Sequence, residues 1–219
     1  MLLAIDIGNT NITSGLFREK GRGKILIVSV SPKRLKQVLK LIRKLKLPKP
    51  YIIGKDIKVP LKSRYNKRQI GQDRLVTAYA AAKLYGRPVL VIDFGTAVTF
   101  DIVSKRNEYM GGLILPGIKM SLESLHNKTA LLPYVELKKV KGLIGRSTED
   151  SIRLGMIYGY ASLCEGLIRR FKKKFPGLKV VATGGDAGLI SQHTEFINNI
   201  DNDLSLKGLL FLSHLLALV

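Results

Sequence analysis

Leu2-Leu3-Ala4-Ile5-Asp6-Ile7-Gly8-Asn9-Thr10 and Val89-Leu90-Val91-Ile92-Asp93-Phe94-Gly95-Thr96 write one pattern twice. Four apolar residues lead to an Asp, an apolar residue, a Gly and a hydroxyl within two positions. A run of four apolar residues suits a strand buried on both faces. The Asp then stands where the strand ends, and the Gly lets the backbone turn tightly against another group. Two such turns imply two related half-domains facing one ligand. A carboxylate with bare amides and a hydroxyl beside it suits a polyphosphate and its metal. The carboxylate holds Mg²⁺ or its waters, and the amides and hydroxyl bond phosphate oxygens.

The rest of the chain extends this plan. Strands are expected at 2–7, 11–17 and 24–30, a helix at 32–46, a short strand near 51–53 and an irregular loop over 54–70. An Ala-rich helix runs from about Asp73 to Tyr85. The second half repeats the order, with strands at 88–93, 97–103 and near 108–111. Helices follow near 118–127 and over 148–174, then a strand at 178–182 and a last helix at 204–218. The long helix carries Ile152, Met156, Tyr160, Leu163, Leu167 and Phe171 along one side. Strand pairs followed by helices, given twice, make a duplicated α/β protein with mixed sheets flanked by helices. The expected division is 1–87 and 88–219.

The 219 residues are enough for a sizeable core, and the 46% hydrophobic content is that of a soluble globular protein. The apolar stretch at Gly208–Val219 is too short to span a bilayer, and the N-terminus has no signal-peptide pattern. The single cysteine, Cys164, excludes a disulfide frame and reads as an inert buried thiol. These features point to a cytoplasmic protein with no membrane partner.

The net charge of +21 is concentrated in residues 18–68, which hold 18 Lys and Arg against Glu19 and Asp56. Much of it lies on the helix begun by Ser31, an N-cap type, and Pro32, which suits the first helical position. Leu35, Val38, Leu39, Ile42 and Leu45 form its apolar face, and lysines and arginines mostly cover the others. Such a face reads as solvated, or as attractive to nucleic acid or anionic membrane. Zinc-finger, RNA-binding and basic-zipper patterns are missing, so no specific nucleic acid is expected.

The loop Asp6 to Thr13 joins two strands, and Asn9-Thr10 by itself would simply turn a hairpin. The sequence has no Walker pattern, which excludes a P-loop site, and no Gly-x-Ser-x-Gly elbow, which excludes that hydrolase class. In the second loop Thr99 and Asp101 face one side of a strand, Asp101 also suiting an edge or cap role. Gly71-Gln72-Asp73-Arg74 opens the Ala-rich helix. Asp73 there is either an N-cap or a base beside a cationic anchor, and phosphorylating an alcohol needs both. Ser147 and Asp150 resemble a capping box, leaving Thr148 free to bond a ligand at a helix N-terminus. Thr183-Gly184-Gly185-Asp186 follows a strand and lets a flat group pack against backbone. His126, His193 and His214 match no metal or triad spacing.

Six stretches, in order, resemble the type III pantothenate kinases of the acetate kinase/sugar kinase/Hsp70/actin superfamily. They are AIDIGNTNITSGLF at 4–17, GQDR at 71–74, VIDFGTAVTFDIV at 91–103, GGLILPG at 111–117, GRSTEDSIRLG at 145–155 and ATGGD at 182–186. The resemblance implies a duplicated actin-like (ribonuclease H-like) ATPase fold and ATP-dependent phosphorylation of pantothenate, the first step towards coenzyme A. It implies that Asp6, Ile7, Gly8, Asn9, Thr10, Asn11, Ile12 and Thr13 form the phosphate loop, with Asp6 meeting Mg²⁺ through water. Asp73 would be the general base. Gly71, Gln72, Asp73, Arg74 and Thr148 would contact pantothenate, with Tyr65 as a further contact. Thr96 would bind ATP, and Asp93 a monovalent cation, K⁺ or ammonium. The resemblance also implies a homodimer joined through the second half-domain.

The chain departs from the family in two places. The stretch between the first hairpin and Gly71 is short by roughly a strand and a helix, and the run Tyr65–Ile70 lacks the family's Pro. Two other readings of the same fold are a non-catalytic, nucleic-acid-associated regulator and a kinase for another small alcohol.

Overall fold

The computed structural model describes residues 1–18, 23–63, 65–66 and 69–216. Parts of the expected basic loop (19–22), Arg64, Lys67 and Arg68 of the 54–70 loop, and the end of the expected last helix (217–218) lie outside the described residues. The order is β1 (Leu2–Ile7), β2 (Ile12–Phe17), β3 (Lys24–Ser29), α1 (Pro32–Lys44), β4 (Tyr51–Ile52), β5 (Lys62–Ser63), α2 (Gln72–Leu84), β6 (Val89–Phe94), β7 (Ala97–Val103) and β8 (Glu108–Pro116). It continues with α3 (Ile118–Lys128), α4 (Thr148–Lys174), β9 (Lys179–Thr183), α5 (Ala187–Ser191), β10 (Asn199–Ile200) and α6 (Leu204–Leu215).

The chain forms two compact units: Met1–Arg87 with Val103–Gly111 and Asp203–Val219, and Pro88–Ile102 with Gly112–Asn202. The sequence leaves the last helix with the second half. In the structure α6 packs on β1, β3 and α2, because Leu204, Leu206, Leu209 and Leu212 are all buried in the first unit.

In the first unit the sheet order is β2-β1-β3-β4. β1 is antiparallel to β2 and parallel to β3, which is parallel to β4. The other sheet has the order β10-β9-β6-β7-β8-β5. There β6 and β7 are joined by two residues and so run antiparallel, and β6, β9 and β10 run parallel. Aligned on the two Asp-ended strands, the first sheet shows no counterpart of β8 among the described residues.

The pleat of β1 sets the chemistry of the first unit. Ile5 and Ile7 face one side and pack with Ile25, Ile27 and Ile42, against which Leu35, Val38 and Leu39 of α1 lie. Leu2 and Ala4 face the other side, and Asp6 follows on the same face by the period of two. Two expectations change locally. Ser31 is the N-cap of α1 by position, but its side chain caps no amide. The third strand of the second half, expected near 108–111, runs on as β8 to Pro116. Its glycines are built in: Gly111 has φ +92°, and a Cβ on Gly112 would collide with the Phe100 carbonyl.

In the second unit, α4 buries Leu154, Ile157, Ala161, Cys164 and Ile168 fully. The expected stripe from Ile152 to Phe171 flanks this line and is partly buried. The small Ala161 and Cys164 occupy the fully buried centre of that line. Burial pushes the Cys164 thiol up to about 12, so it stays protonated.

The crossing of α2 and α6 is close. A Cβ on Gly208 would stand 2.6 Å from Val76 Cγ1 and 2.7 Å from the Val76 carbonyl oxygen. Gly208→Ala therefore forces the helices apart, at a cost of about 1–3 kcal/mol. Thermal unfolding is expected to fall by several degrees. Gly166→Ala in α4, where a Cβ meets nothing within 4 Å, is expected to leave Tm unchanged or slightly raised.

Candidate active site

The first unit brings three elements to the carboxyl end of β1. Asp6 is half-buried there, with Thr13 opposite it across the β1–β2 pair. Asp73, in the first turn of α2, and Ser205, at the start of α6, are both near enough to act on the Asp6 carboxyl. Burial pushes the Asp6 carboxyl from 3.8 up to about 6; the Ser205 hydrogen bond opposes this and the Asp73 charge adds to it. Two carboxylates meeting where two helices begin is an arrangement for handling a proton or a cation, since structural stability alone does not favour it.

The loop after Asp6 is tight. The Gly8 amide donates to the Asn11 carbonyl at 2.9 Å, and Asn9, Thr10 and Asn11 are exposed. Arg34 of α1 donates from Nη1 to the Thr10 carbonyl at 2.6 Å, so one residue of the basic helix anchors this loop. Ile7 and Ile12 differ in kind. Ile7 is fully buried and its carbonyl accepts from Val30, whereas Ile12 is half exposed at the loop's end.

Gly71 is the N-cap of α2, so the N-cap role considered for Asp73 is not the one it takes. Asp73 folds back over Gly71, where a Cβ would strike its Oδ1, and that Oδ1 accepts from the Arg74 amide at 2.8 Å. Gln72 and Arg74 flank it, both half-buried. Tyr65 is exposed, and its amide donates to Ser63 Oγ at 3.0 Å.

The second unit repeats the strand-Asp-Gly turn in different surroundings. Asp93 lies opposite Thr183 in the parallel pair β6–β9. Gly184 has φ +92°, and a Cβ there would meet Asp93 Oδ1, the Phe94 carbonyl carbon and the Phe94 oxygen, each at 2.6 Å. Thr96 is exposed, and its carbonyl accepts from Gly117, which opens α3. Asp101 is 1% exposed on a strand between two others and accepts from Thr99 at 3.0 Å. It is a core carboxylate, which replaces the edge role considered for it.

Thr148 is the first residue of α4 and is exposed. Ser147 caps the helix by accepting from the Asp150 amide at 3.1 Å. The Asp150 and Glu149 carboxylates pair with Arg153 instead of closing a capping box. Ahead of that helix, a cavity of about 740 Å³ is lined by the 138–146 loop, Asp150, Arg153 and Leu154.

Among the described residues no three His, Cys, Asp or Glu side chains gather as a metal cage. The donors present still fit the hard cations. Mg²⁺ keeps most of its waters and needs only one or two carboxylates besides phosphate oxygens, which suits Asp6 with Asp73 nearby. Asp93 Oδ1 and the Phe94 carbonyl oxygen lie together against Gly184, two oxygen donors of the kind such a cation takes.

Sequence reasoning missed Arg34 and Ser205. Arg34 looked like one more cation on a basic helix, and Ser205 like an ordinary residue of an amphipathic one; only the tertiary contacts single them out.

The family model described as type III pantothenate kinase matches residues 18–170. A Persephonella marina protein of that name is 41% identical over 207 residues, covering 94% of this chain and 81% of its own length. A Halalkalibacterium halodurans protein of the same name is 36% identical over 246 residues, covering 95% of this chain and 97% of its own. That alignment is longer than this 219-residue chain, so the relative carries internal segments that are lacking here. Among solved structures, a Campylobacter jejuni protein described as a conserved Baf family transcriptional activator matches with TM-score 0.66 at 21% identity, covering 99% of this chain and 100% of its own. A Sinorhizobium meliloti protein described as a 2-dehydro-3-deoxygalactonokinase matches with TM-score 0.60 at 11% identity, covering 99% of each chain. At these identities the two structures show the fold alone, which is the duplicated actin-like one. The family model and the relatives go further: the chain belongs to the type III pantothenate kinases.

Proposed function

We propose that the protein transfers the γ-phosphoryl group of ATP to the terminal hydroxyl of pantothenate, giving 4′-phosphopantothenate on the way to coenzyme A. The observation that carries this reading is the meeting of Asp6, Asp73 and the Gly8–Thr13 loop at one strand end, in a chain of this family.

Asp73 accepts the proton as the hydroxyl oxygen bonds to the γ-phosphorus and the bond to the ADP oxygen breaks. The exposed stretch Asn9 to Asn11 and the Thr10 and Thr13 hydroxyls bond the phosphates, with Gly8 closing the turn, Ile12 framing it and Ile7 contributing main chain. Arg74, with Gly71, Gln72, Thr148 and Tyr65, holds pantothenate, whose carboxylate needs a cation. Thr96 contacts ATP. Mg²⁺, reached by Asp6 through water, supplies neutralisation of the phosphate charge when bound, and K⁺ or ammonium at Asp93 adds to it.

The working form is a homodimer joined through the second unit. In support, Ile114, Leu131 and Ile144 of that unit are apolar and 64%, 90% and 83% exposed. The protein acts in the cytoplasm; in keeping with this, no described helix is long and apolar enough to cross a membrane.

An ATP-consumption assay tests the reading. Turnover is expected with pantothenate and Mg²⁺, stimulated by K⁺ or ammonium. Turnover with a different small alcohol and none with pantothenate would replace it.

A further inference from the structure

We propose that Arg34 is a positioning residue of the phosphate loop: it holds the Thr10 carbonyl towards α1, so that the loop presents N–H groups and not oxygens to an anion. The inference rests on the kinase reading above and gives one residue of the basic helix a part in it.

Each residue of a turn carries an acceptor as well as a donor, and a carbonyl left facing a phosphate repels it. Three carbonyls around this turn are taken up from inside the protein. The Ile7 oxygen accepts from the Val30 amide at 3.1 Å, and the Asn11 oxygen accepts from the Gly8 amide at 2.9 Å. The Thr10 oxygen accepts from Arg34 Nη1 at 2.6 Å. A peptide unit is planar and trans, so its C=O and N–H point in opposite directions. Turning the Thr10 oxygen to Arg34 therefore turns the N–H of Asn11, an exposed residue, away from α1.

The place of Arg34 is itself fixed. The bond from Val30 to Ile7 ties the start of α1 to the end of β1. Leu35, the next residue, packs against the cluster that contains Ile5 and Ile7. Helix electrostatics do not explain a cation here. Arg34 lies in the first turn of α1, which has no acidic residue, and the positive end of a helix disfavours a cation. What explains it is the group it reaches: a carbonyl 24 residues away in the chain, held by a charge-assisted hydrogen bond.

The test uses the full-length protein and two variants that lose the same charge from the same helix. Arg34→Met keeps a long apolar stem and removes the donors. Lys36→Met removes an exposed cation nearby. Binding of ATP with Mg²⁺ is measured by calorimetry without pantothenate. Arg34→Met is expected to weaken it about tenfold, the loss that a hydrogen bond from a charged group brings. Lys36→Met should stay within about twofold of the parent, because an exposed charge is screened. The KM for pantothenate should be unchanged in both. Without nucleotide, hydrogen exchange of the Gly8 amide, followed by NMR, should quicken several-fold in Arg34→Met only, because the turn that this amide closes is no longer held. Equal ATP binding by Arg34→Met and the parent would overturn the inference. An equal loss in Lys36→Met would do the same, by making the effect one of overall charge, and so would unchanged exchange at Gly8. A melting temperature lowered by more than about 10 °C in Arg34→Met would overturn it too, by making the residue a structural one. A parent that binds ATP yet fails to phosphorylate pantothenate would overturn the kinase reading and leave the role of Arg34 in ATP binding standing; a parent that binds no ATP would overturn both.

Discussion

Asp73→Asn is expected to lower kcat by about 10²–10⁴, the range that a positioned general base contributes, while the KM for ATP changes little. The amide keeps the shape of the side chain but cannot take the hydroxyl proton. Its position in the first turn of α2, over the bare Gly71, leaves room for Asn to occupy the same place. Folding should not suffer, because the Asp73 charge disfavours the ionised form of Asp6. Removing that charge leaves the melting temperature equal or slightly higher. Steady-state kinetics with a thermal scan on the same samples checks both halves. Near-parental turnover by Asp73→Asn would assign the base elsewhere.

Asp6→Asn should also collapse activity, by about 10²-fold or more, through lost placement of the nucleotide's metal ion. Here stability moves the opposite way. The carboxyl of Asp6 rises from 3.8 when unfolded to about 6 when folded, chiefly through burial. The folded state therefore binds this proton more tightly than the unfolded chain, and the contribution of Asp6 to stability is fully present below about pH 4. It is lost as pH rises through about 6 and is constant above that. A rise of this size corresponds to at most about 3 kcal/mol, and water at the half-buried site screens part of it. At pH 7.5, without metal ions, Asp6→Asn should melt roughly 2–6 °C higher than the parent, and the difference should vanish near pH 4. With Mg²⁺ bound, its charge favours the ionised carboxylate, so the parent's activity should persist below about pH 6 and fall only at lower pH. Melting curves across pH 4–8 and a pH–rate profile measure the two trends. A variant that is less stable than the parent at pH 7.5 would contradict the assignment of a buried, unfavourably charged carboxylate.

Much of the fold was legible because it rests on local pattern. The four-residue apolar runs ending at Asp6 and Asp93 form strands largely buried on both faces. The glycines of β8 misled: Gly111-Gly112 read as a break, yet their bare backbone keeps the strand running past the Phe100 carbonyl. Asp101 suggested an edge because carboxylates are rarely buried, and its place between two strands came only with the sheet order. At the site, the aspartates stood out because an Asp ending an apolar strand is costly without a function. Ser205 and Arg34 did not, since a serine near a helix start and an arginine among lysines are ordinary in sequence. The place of Arg34 comes from its bond to the Thr10 carbonyl 24 residues away, and that of Ser205 from its nearness to Asp6. The association of α6 with the first unit escaped for the same reason, because no sequence pattern says which sheet an amphipathic helix covers.

The most direct measurement of the central claim is the product itself. The full-length protein, incubated with ATP, Mg²⁺, K⁺ and pantothenate, should yield pantothenate heavier by one phosphoryl group in mass spectrometry, in step with ADP. The Asp73→Asn protein should form almost none over the same time. Unmodified pantothenate in the presence of folded, ATP-binding parent protein would contradict the account.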